Sequence, residues 1–328
     1  MENIVNRPSL FKYATKELSQ DAFFCWLLEW SEEKYKNSDL YGISKNFLKN
    51  IIGKDITVDT IRIKRQYLHI DILAIINEKL FISFEDKINS KIHGNQLKIY
   101  KETLEKKHKN PEKIFVYIKT DLIMEEEKKN VEKNGYIVLD IFTLYTILLS
   151  QPKNDIYQDF FSKLSKKVNS LSNFENVEKN KWQPDEWRGF IYKLSSKIKY
   201  TNFWEFYKGD NNFGFILEKI DNFPVENVNM TLGIEKKRFL IKFHFGSKVV
   251  KRLKIRSEFF EKYNKIFNDF KINKNSRIGN KSATIITFKD YMKFNEENLF
   301  DFEKTVEYIE KVRIAFFDLF CCSAGSYS

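Results

Sequence analysis

The apolar positions between residues 60 and 87 fall into three short runs. TIRIKRQ (60–66), HIDILAII (69–76) and LFISFEDK (80–87) are rich in β-branched and aromatic residues and are parted by short polar connections. This is a strand–turn–strand pattern. Ahead of it, ELSQDAFFCWLLEWSEE (17–33) reads as a helix, with Phe23, Phe24, Leu27, Leu28 and Trp30 forming a stripe. Ser19 is the expected cap, and Asp21 sits in the first turn. A second helical piece follows at 43–52. Downstream, 94–109 turns helical with Leu97, Tyr100 and Leu104 on one side. KIFVYIKT (113–120) is a continuous apolar strand of the kind buried on both faces. A charged helix fits 124–134, a strand 136–141 and a helix 142–149. Helices flanking such a run of strands predict an α/β fold, a mixed central sheet covered on both faces.

Residues 151–180 are polar and read as helix ends and a connector. After Trp182 the pattern changes, with strands expected at 214–220, 226–235, 238–246 and 283–289 and helices at 256–269 and 301–320. KNSRIGNK (274–281) reads as a mobile turn. The chain of 328 residues is long enough for two domains. The expected division is 1–170 for the α/β domain and 171–328 for a C-terminal α+β domain.

Composition narrows the classes. Apolar residues make up 42% and charged residues 31%, which predicts a soluble folded protein. No apolar stretch approaches the roughly 20 residues needed to span a bilayer. The first residues, MENIVNRPSLFKY, lack a signal-peptide hydrophobic region, so the expected location is cytoplasmic, without a membrane. Cys25, Cys321 and Cys322 have neither zinc nor disulfide spacing. His69, His93, His108 and His244 also lack metal-ligand spacing, and there is neither a glycine-rich phosphate loop nor a GxSxG nucleophile. The net charge is +11, with 28 basic against 24 acidic residues in 1–170 and 28 against 21 in 171–328. A basic balance fits a polyanionic partner. The same Lys- and Asn-rich composition also follows from a nucleotide bias toward AT.

The chemistry lies in the two strands that flank Asn77, Glu78 and Lys79. Side chains two apart share a face, so Glu85 and Lys87 point the same way. If those three residues form the turn, Asp71 lies opposite Glu85 and shares its face. A two-residue turn places them on opposite faces. Two carboxylates held close together repel unless a cation sits between them. Mg²⁺ (or Mn²⁺) is the natural choice, a hard ion held by one or two carboxylates plus water and phosphate. EDK at a strand end is more often a solvated terminus with weak salt bridges. Asp71 argues against that reading here, because it lies between Ile70 and Ile72 in an apolar strand.

Asp71 followed by Glu85-Asp86-Lys87 on the next strand, within this order of elements, resembles the PD-(D/E)XK nuclease superfamily over roughly residues 15–150. The resemblance implies a restriction-endonuclease-like fold, with Asp71 and Glu85 as metal ligands, the Asp86 carbonyl completing the coordination, and Lys87 as the catalytic lysine. Two further features resemble a bacterial branch of the superfamily. One is a helix-start glutamate, here Glu17, able to reach the metal. The other is a Gln with a Tyr four residues later, here Gln96 and Tyr100, one turn apart on one helix face. The residue before Asp71 is Ile70, where the family motif has proline.

A polyanion has candidate contacts in SKVVKRLKIR (247–256), with Lys248, Lys251, Arg252, Lys254 and Arg256, and in the loop carrying Arg277. The aromatic-dense segments WQPDEWRGFIY (182–192) and TNFWEFY (201–207) favour core packing over base stacking. The resulting expectation is a Mg²⁺-dependent endonuclease acting on nucleic acid, double-stranded DNA in particular, in restriction or anti-phage defence. Cutting both strands favours a homodimer. The alternatives are a non-catalytic nucleic-acid-binding module that keeps the nuclease fold, and a regulatory protein whose basic surface meets an acidic partner.

Overall fold

The fold is given by a computed structural model that describes residues 8–90, 92, 94–205, 213–235, 237–274 and 281–324. The chain divides into two compact units between Asn169 and Ser170.

The first unit carries helices α1 (Glu17–Glu29), α2 (Asp39–Ile52), α3 (Gln96–Lys107), α4 (Glu125–Lys133), α5 (Ile141–Ile147) and the start of α6 (Asp155–Ser172). Its strands β1 (Ile61–Tyr67), β2 (Ile70–Ile76), β3 (Leu80–Lys87), β4 (Glu112–Lys119) and β5 (Ile137–Leu139) lie in sequence order in one sheet. β1, β2 and β3 pair antiparallel, whereas β4 and β5 run parallel to β3. This is a mixed α/β sheet of the expected restriction-endonuclease-like kind. β2 and β3 are buried almost throughout, because helices cover both faces. On one face Leu73, Ile75, Phe81, Phe115 and Tyr117 pack with Leu97 and Leu104 of α3. On the other, Phe24 of α1 stacks on Phe47 of α2 at 5.8 Å, and Phe47 on Phe84 of β3 at 6.3 Å.

Asn77 explains the register. Ile76 pairs with Leu80, leaving Asn77, Glu78 and Lys79 as a three-residue turn. Asn77 and Glu78 adopt φ of 50° and 55°, and Asn tolerates this left-handed region better than most residues. The Asn77 side chain accepts from the Asp59 and Thr60 amides and donates to the Thr57 carbonyl, which anchors the turn to the entry of β1.

Several local expectations need correction. Ser19 is not the cap of α1; Lys16 holds that position without a side-chain bond, and Glu17 is the first helical residue. The polar segment 151–180 is not mainly connector. It contains α6, an 18-residue helix, on which Tyr157, Phe160, Leu164, Val168 and Leu171 are buried. Those five recur at helical spacing, but the Lys, Ser and Asn between them hide the stripe. α7 (Pro184–Lys197) starts on a capping box between Gln183 and Glu186 and was also unforeseen.

The second unit is an antiparallel sheet of six strands, in the order β10-β11-β9-β8-β7-β6. They are β6 (Asn202–Glu205), β7 (Phe213–Ile220), β8 (Val228–Glu235), β9 (Arg238–Phe245), β10 (Ile272–Lys274) and β11 (Ser282–Phe288). A small ribbon of β12 (Lys293–Phe294) and β13 (Phe300–Asp301) leads into α9 (Phe302–Ala324), and α8 (Arg252–Tyr263) precedes β10. Trp182, Trp187 and Phe190 pack in the core of this unit, so the aromatic-dense 182–192 segment is structural. The side chains of 202–213 and of 274–280 lie outside the described residues, and with them most of the expected 274–281 turn.

Gly189 tests how tightly this core is built. A Cβ added there would stand 1.7 Å from the Leu171 carbonyl oxygen, so α7 meets the end of α6 backbone to side. Gly189→Ala is expected to destabilise the second unit by about 3 kcal/mol. The check is a lowered urea midpoint, with loss of hydrogen-exchange protection in α7 and none in β2 and β3.

Candidate active site

The β2–β3 register brings the predicted acids together. Ile72 pairs with Phe84, so Asp71 stands opposite Glu85 at the end of the hairpin. Lys87 Nζ lies 2.5 Å from Glu85 Oε1 and 3.8 Å from Asp71 Oδ2. α3 delivers Gln96 to the same point, where its Nε2 donates to Glu85 Oε1 at 2.5 Å. Glu85 Oε1 therefore takes two donors, while Glu85 Oε2 is buried with no hydrogen-bond partner among the described residues. Asp71 is held from both sides: Gln66 Nε2 donates to Oδ1 at 3.0 Å and the Asp86 amide to Oδ2 at 2.9 Å.

The electrostatics follow from this crowding. Burial, then the charge of Asp71, pushes the Glu85 carboxyl up to about 7. Burial works against the Lys87 ammonium, but Glu85 and Asp71 override it and hold the amine above its ordinary range. The Tyr100 hydroxyl is raised by burial and then by the charge of Glu85. Glu17 reaches the end of β3, where its Oε1 accepts from the Ile88 amide at 3.2 Å and the Ser90 hydroxyl at 2.7 Å.

Asp86 points the other way, as strand alternation requires. Its Oδ1 accepts from Gln20 Nε2 at 2.6 Å, and Gln20 Oε1 in turn accepts from the Thr120 hydroxyl at 2.6 Å. Asp21 lies against it, and the two carboxyls hydrogen-bond to each other, with Asp21 Oδ1 and Asp86 Oδ2 both buried. Burial first, and the neighbouring acids after it, push Asp21 up to about 6 and Asp86 well above its ordinary range. Sequence reasoning missed Gln20, Asp21 in this role, and Gln66. It also missed Lys119, which sits beside Lys87 on β4 and is neutralised by Glu127 at 2.7 Å. The available signal was the pair of polar residues at 20–21 beside the apolar stripe of α1.

The donor set suits a hard cation. The Asp71 and Glu85 carboxylates could supply oxygen ligands, and the buried Glu85 Oε2 is an acceptor with no donor among the described residues. Among the described residues no three His, Cys, Asp or Glu side chains form a metal cage on their own. Water and substrate phosphate would supply the other ligands, as is usual for Mg²⁺.

The basic residues of the second unit separate. Lys248, Lys251 and Lys254 are exposed and Arg252 is half-buried. Arg256 departs from expectation: only 7% exposed, it lies with Phe259 and Tyr263 on the buried side of α8. The i, i+3, i+7 spacing of these three residues puts them on one stripe. Arg277 lies outside the described residues. Cys25 is half-buried, and burial raises its thiol to about 12, so it is not a nucleophile at neutral pH.

The Asp21–Asp86 pair makes a stability prediction. A carboxyl whose folded pKa is raised binds protons more tightly folded than unfolded, so stability falls as pH rises. For Asp21 the loss runs from about 3.8 to about 6. In metal-free buffer, Asp86→Asn is expected to stabilise the protein by on the order of 1–2 kcal/mol at pH 8 and to flatten that slope. Urea titrations at pH 5 and pH 8 read both effects.

No curated protein and no solved structure matches this chain. The family model for the PD-(D/E)XK nuclease superfamily matches residues 9–183, more than half of the chain and all of the elements that build the site. Members are generally nucleases that use a divalent metal ion. With the mixed sheet, the opposed acids and the lysine in place, the chain belongs to the PD-(D/E)XK nuclease superfamily.

Proposed function

We propose that the protein is a Mg²⁺-dependent endonuclease that hydrolyses phosphodiester bonds of DNA. The observation that carries this reading is Glu85, whose buried Oε2 lacks a donor among the described residues while Lys87 and Gln96 hold its Oε1. Asp71, Glu85 and the Asp86 carbonyl would hold the ion, with Glu17 at its edge. A bound divalent ion polarises a phosphoryl oxygen and lowers the pKa of bound water. Lys87 carries a fixed positive charge where negative charge grows on the phosphoryl oxygens, and it can orient the attacking water. Gln96 fixes the rotamer of Glu85, and Gln66 with the Asp86 amide fixes Asp71, so the acids need not reorganise during the reaction.

Lys248, Lys251, Arg252 and Lys254 would neutralise backbone phosphates from the second unit. Two copies would cut the two strands of a duplex, one strand per site. Restriction of foreign DNA is the context in which a basic, metal-dependent endonuclease of this kind fits.

Purified protein with Mg²⁺ or Mn²⁺ is expected to cut plasmid DNA. Lys87→Ala and Glu85→Gln should each lower cleavage by about 100-fold or more. In calorimetry, Mn²⁺ should bind the wild type and lose its heat signal with Asp71→Ala. Retained Mn²⁺ binding in Asp71→Ala, or equal cleavage by Lys87→Ala, would refute the assignment. Cleavage of RNA in preference to DNA would correct the substrate alone.

A further inference from the structure

The connection between β1 and β2 is the tightest available. Tyr67 pairs with Ile70, so Leu68 and His69 alone make the turn. Both have positive φ, 57° and 67°. Two successive residues of positive φ define the hairpin turn that Asn-Gly ordinarily fills, because most side chains are disfavoured there. Gln66, immediately before it, also has a positive φ of 51°. Leu68 has a packing reason for its place, since it lies against the core formed with α3. His69 is exposed, so burial does not account for it.

The surroundings of His69 do. Its ring lies nearly parallel to that of Tyr100, 6.3 Å between centroids and 19° between planes. Tyr100 lies one turn along α3 from Gln96, which donates to Glu85 Oε1, and His69 is two residues from Asp71. Gln66, at the other end of the same turn, holds Asp71 Oδ1. One strained turn thus steers a proposed metal ligand with one residue and presents a flat ring at the rim of the site with another. Backbone conformations of this kind are kept where the surrounding structure uses them.

We infer that His69 and Tyr100 form an aromatic ledge that stacks a nucleobase next to the scissile phosphate. The inference rests on the proposed nuclease reading and deepens it by naming a base-contacting subsite. Stacking takes any base, because every base has a π face, and it requires that base to be unstacked from its neighbour. The ledge therefore favours strands that expose a base beside the cut, single strands and frayed or distorted duplex over closed duplex.

The test is binding, so that it does not depend on turnover. Short oligonucleotides carrying 2-aminopurine at each position in turn are titrated with full-length protein in Ca²⁺. Wild type is expected to quench the fluorophore at one position. His69→Gly should abolish that quench and weaken binding by about 5- to 100-fold. Its thermal midpoint should equal or exceed that of wild type, because glycine relieves the positive φ. His69→Phe should restore the quench, since it keeps the ring and removes the imidazole. Quenching unchanged in His69→Gly, or not restored by His69→Phe, overturns the ledge. Cleavage of plasmid and of single-stranded DNA by wild type with Mg²⁺ or Mn²⁺ is scored alongside. Cleavage without a His69-dependent quench sinks the ledge alone, and a His69-dependent quench without metal-dependent cleavage sinks the nuclease reading alone.

Discussion

Strands β2 and β3 meet with Ile76 opposite Leu80, and the chemistry of the first unit depends on that register. A slip of one residue would carry Asp71 to the opposite face from Glu85 and Lys87, which share a strand and stay together, and would part Asp71 from the ammonium 3.8 Å away. Asn77 resists the slip in two ways. It accepts the left-handed backbone of the turn, and its amide is bonded to residues 57, 59 and 60. A loop residue far from the acids therefore sets which side chains can meet.

The acids themselves oppose folding. Glu85, Asp86 and Asp21 are all buried, and each is pushed toward its protonated form. Lys87 and Gln96 at Glu85, and Gln20 at Asp86, offset part of this with hydrogen bonds, yet Glu85 Oε2 keeps no partner among the described residues. Buried polar atoms without partners cost stability, and raised carboxyl pKa values are the form that cost takes here. β3 separates two roles by strand alternation. Its odd residues Glu85 and Lys87 face Gln96 of α3 and Asp71, while Asp86 faces α1 and ties the strand to Gln20 and Asp21. The backbone between them serves both, since the Asp86 amide also fixes Asp71.

The second unit rests on different physics. Its core is a single sheet face packed with Phe, Ile and Trp under α7, α8 and α9, dense enough that Gly189 and Gly233 have no room for a Cβ. Helical periodicity draws Arg256 into that side of α8 and leaves Lys254 outside, while Lys248 and Lys251 are exposed ahead of the helix, so a run of five basic residues becomes a smaller surface group and one buried cation. Among the described residues no helix of either unit is long and apolar enough to cross a membrane.

Much of this was legible in the chain. The first-unit strands stand within a residue or two of their expected positions, because β-branched runs broken by turn residues are a local signal. The spacing from Asp71 to Glu85 and Lys87 was equally visible, and with it the family resemblance. The stripe of α6 was hidden by the lysines and serines between its apolar positions, and α7 opened on a capping box that was not recognised. What the sequence alone determined was which residues could carry charge and which faces had to be buried, since both follow from residue type and period. Tertiary structure decided which acid met which donor. Whether Glu85 found Lys87 and Gln96, whether Asp86 turned to Gln20 and Asp21, and whether His69 came beside Tyr100 depended on long-range pairing, and such contacts are set by packing between elements that no local pattern encodes.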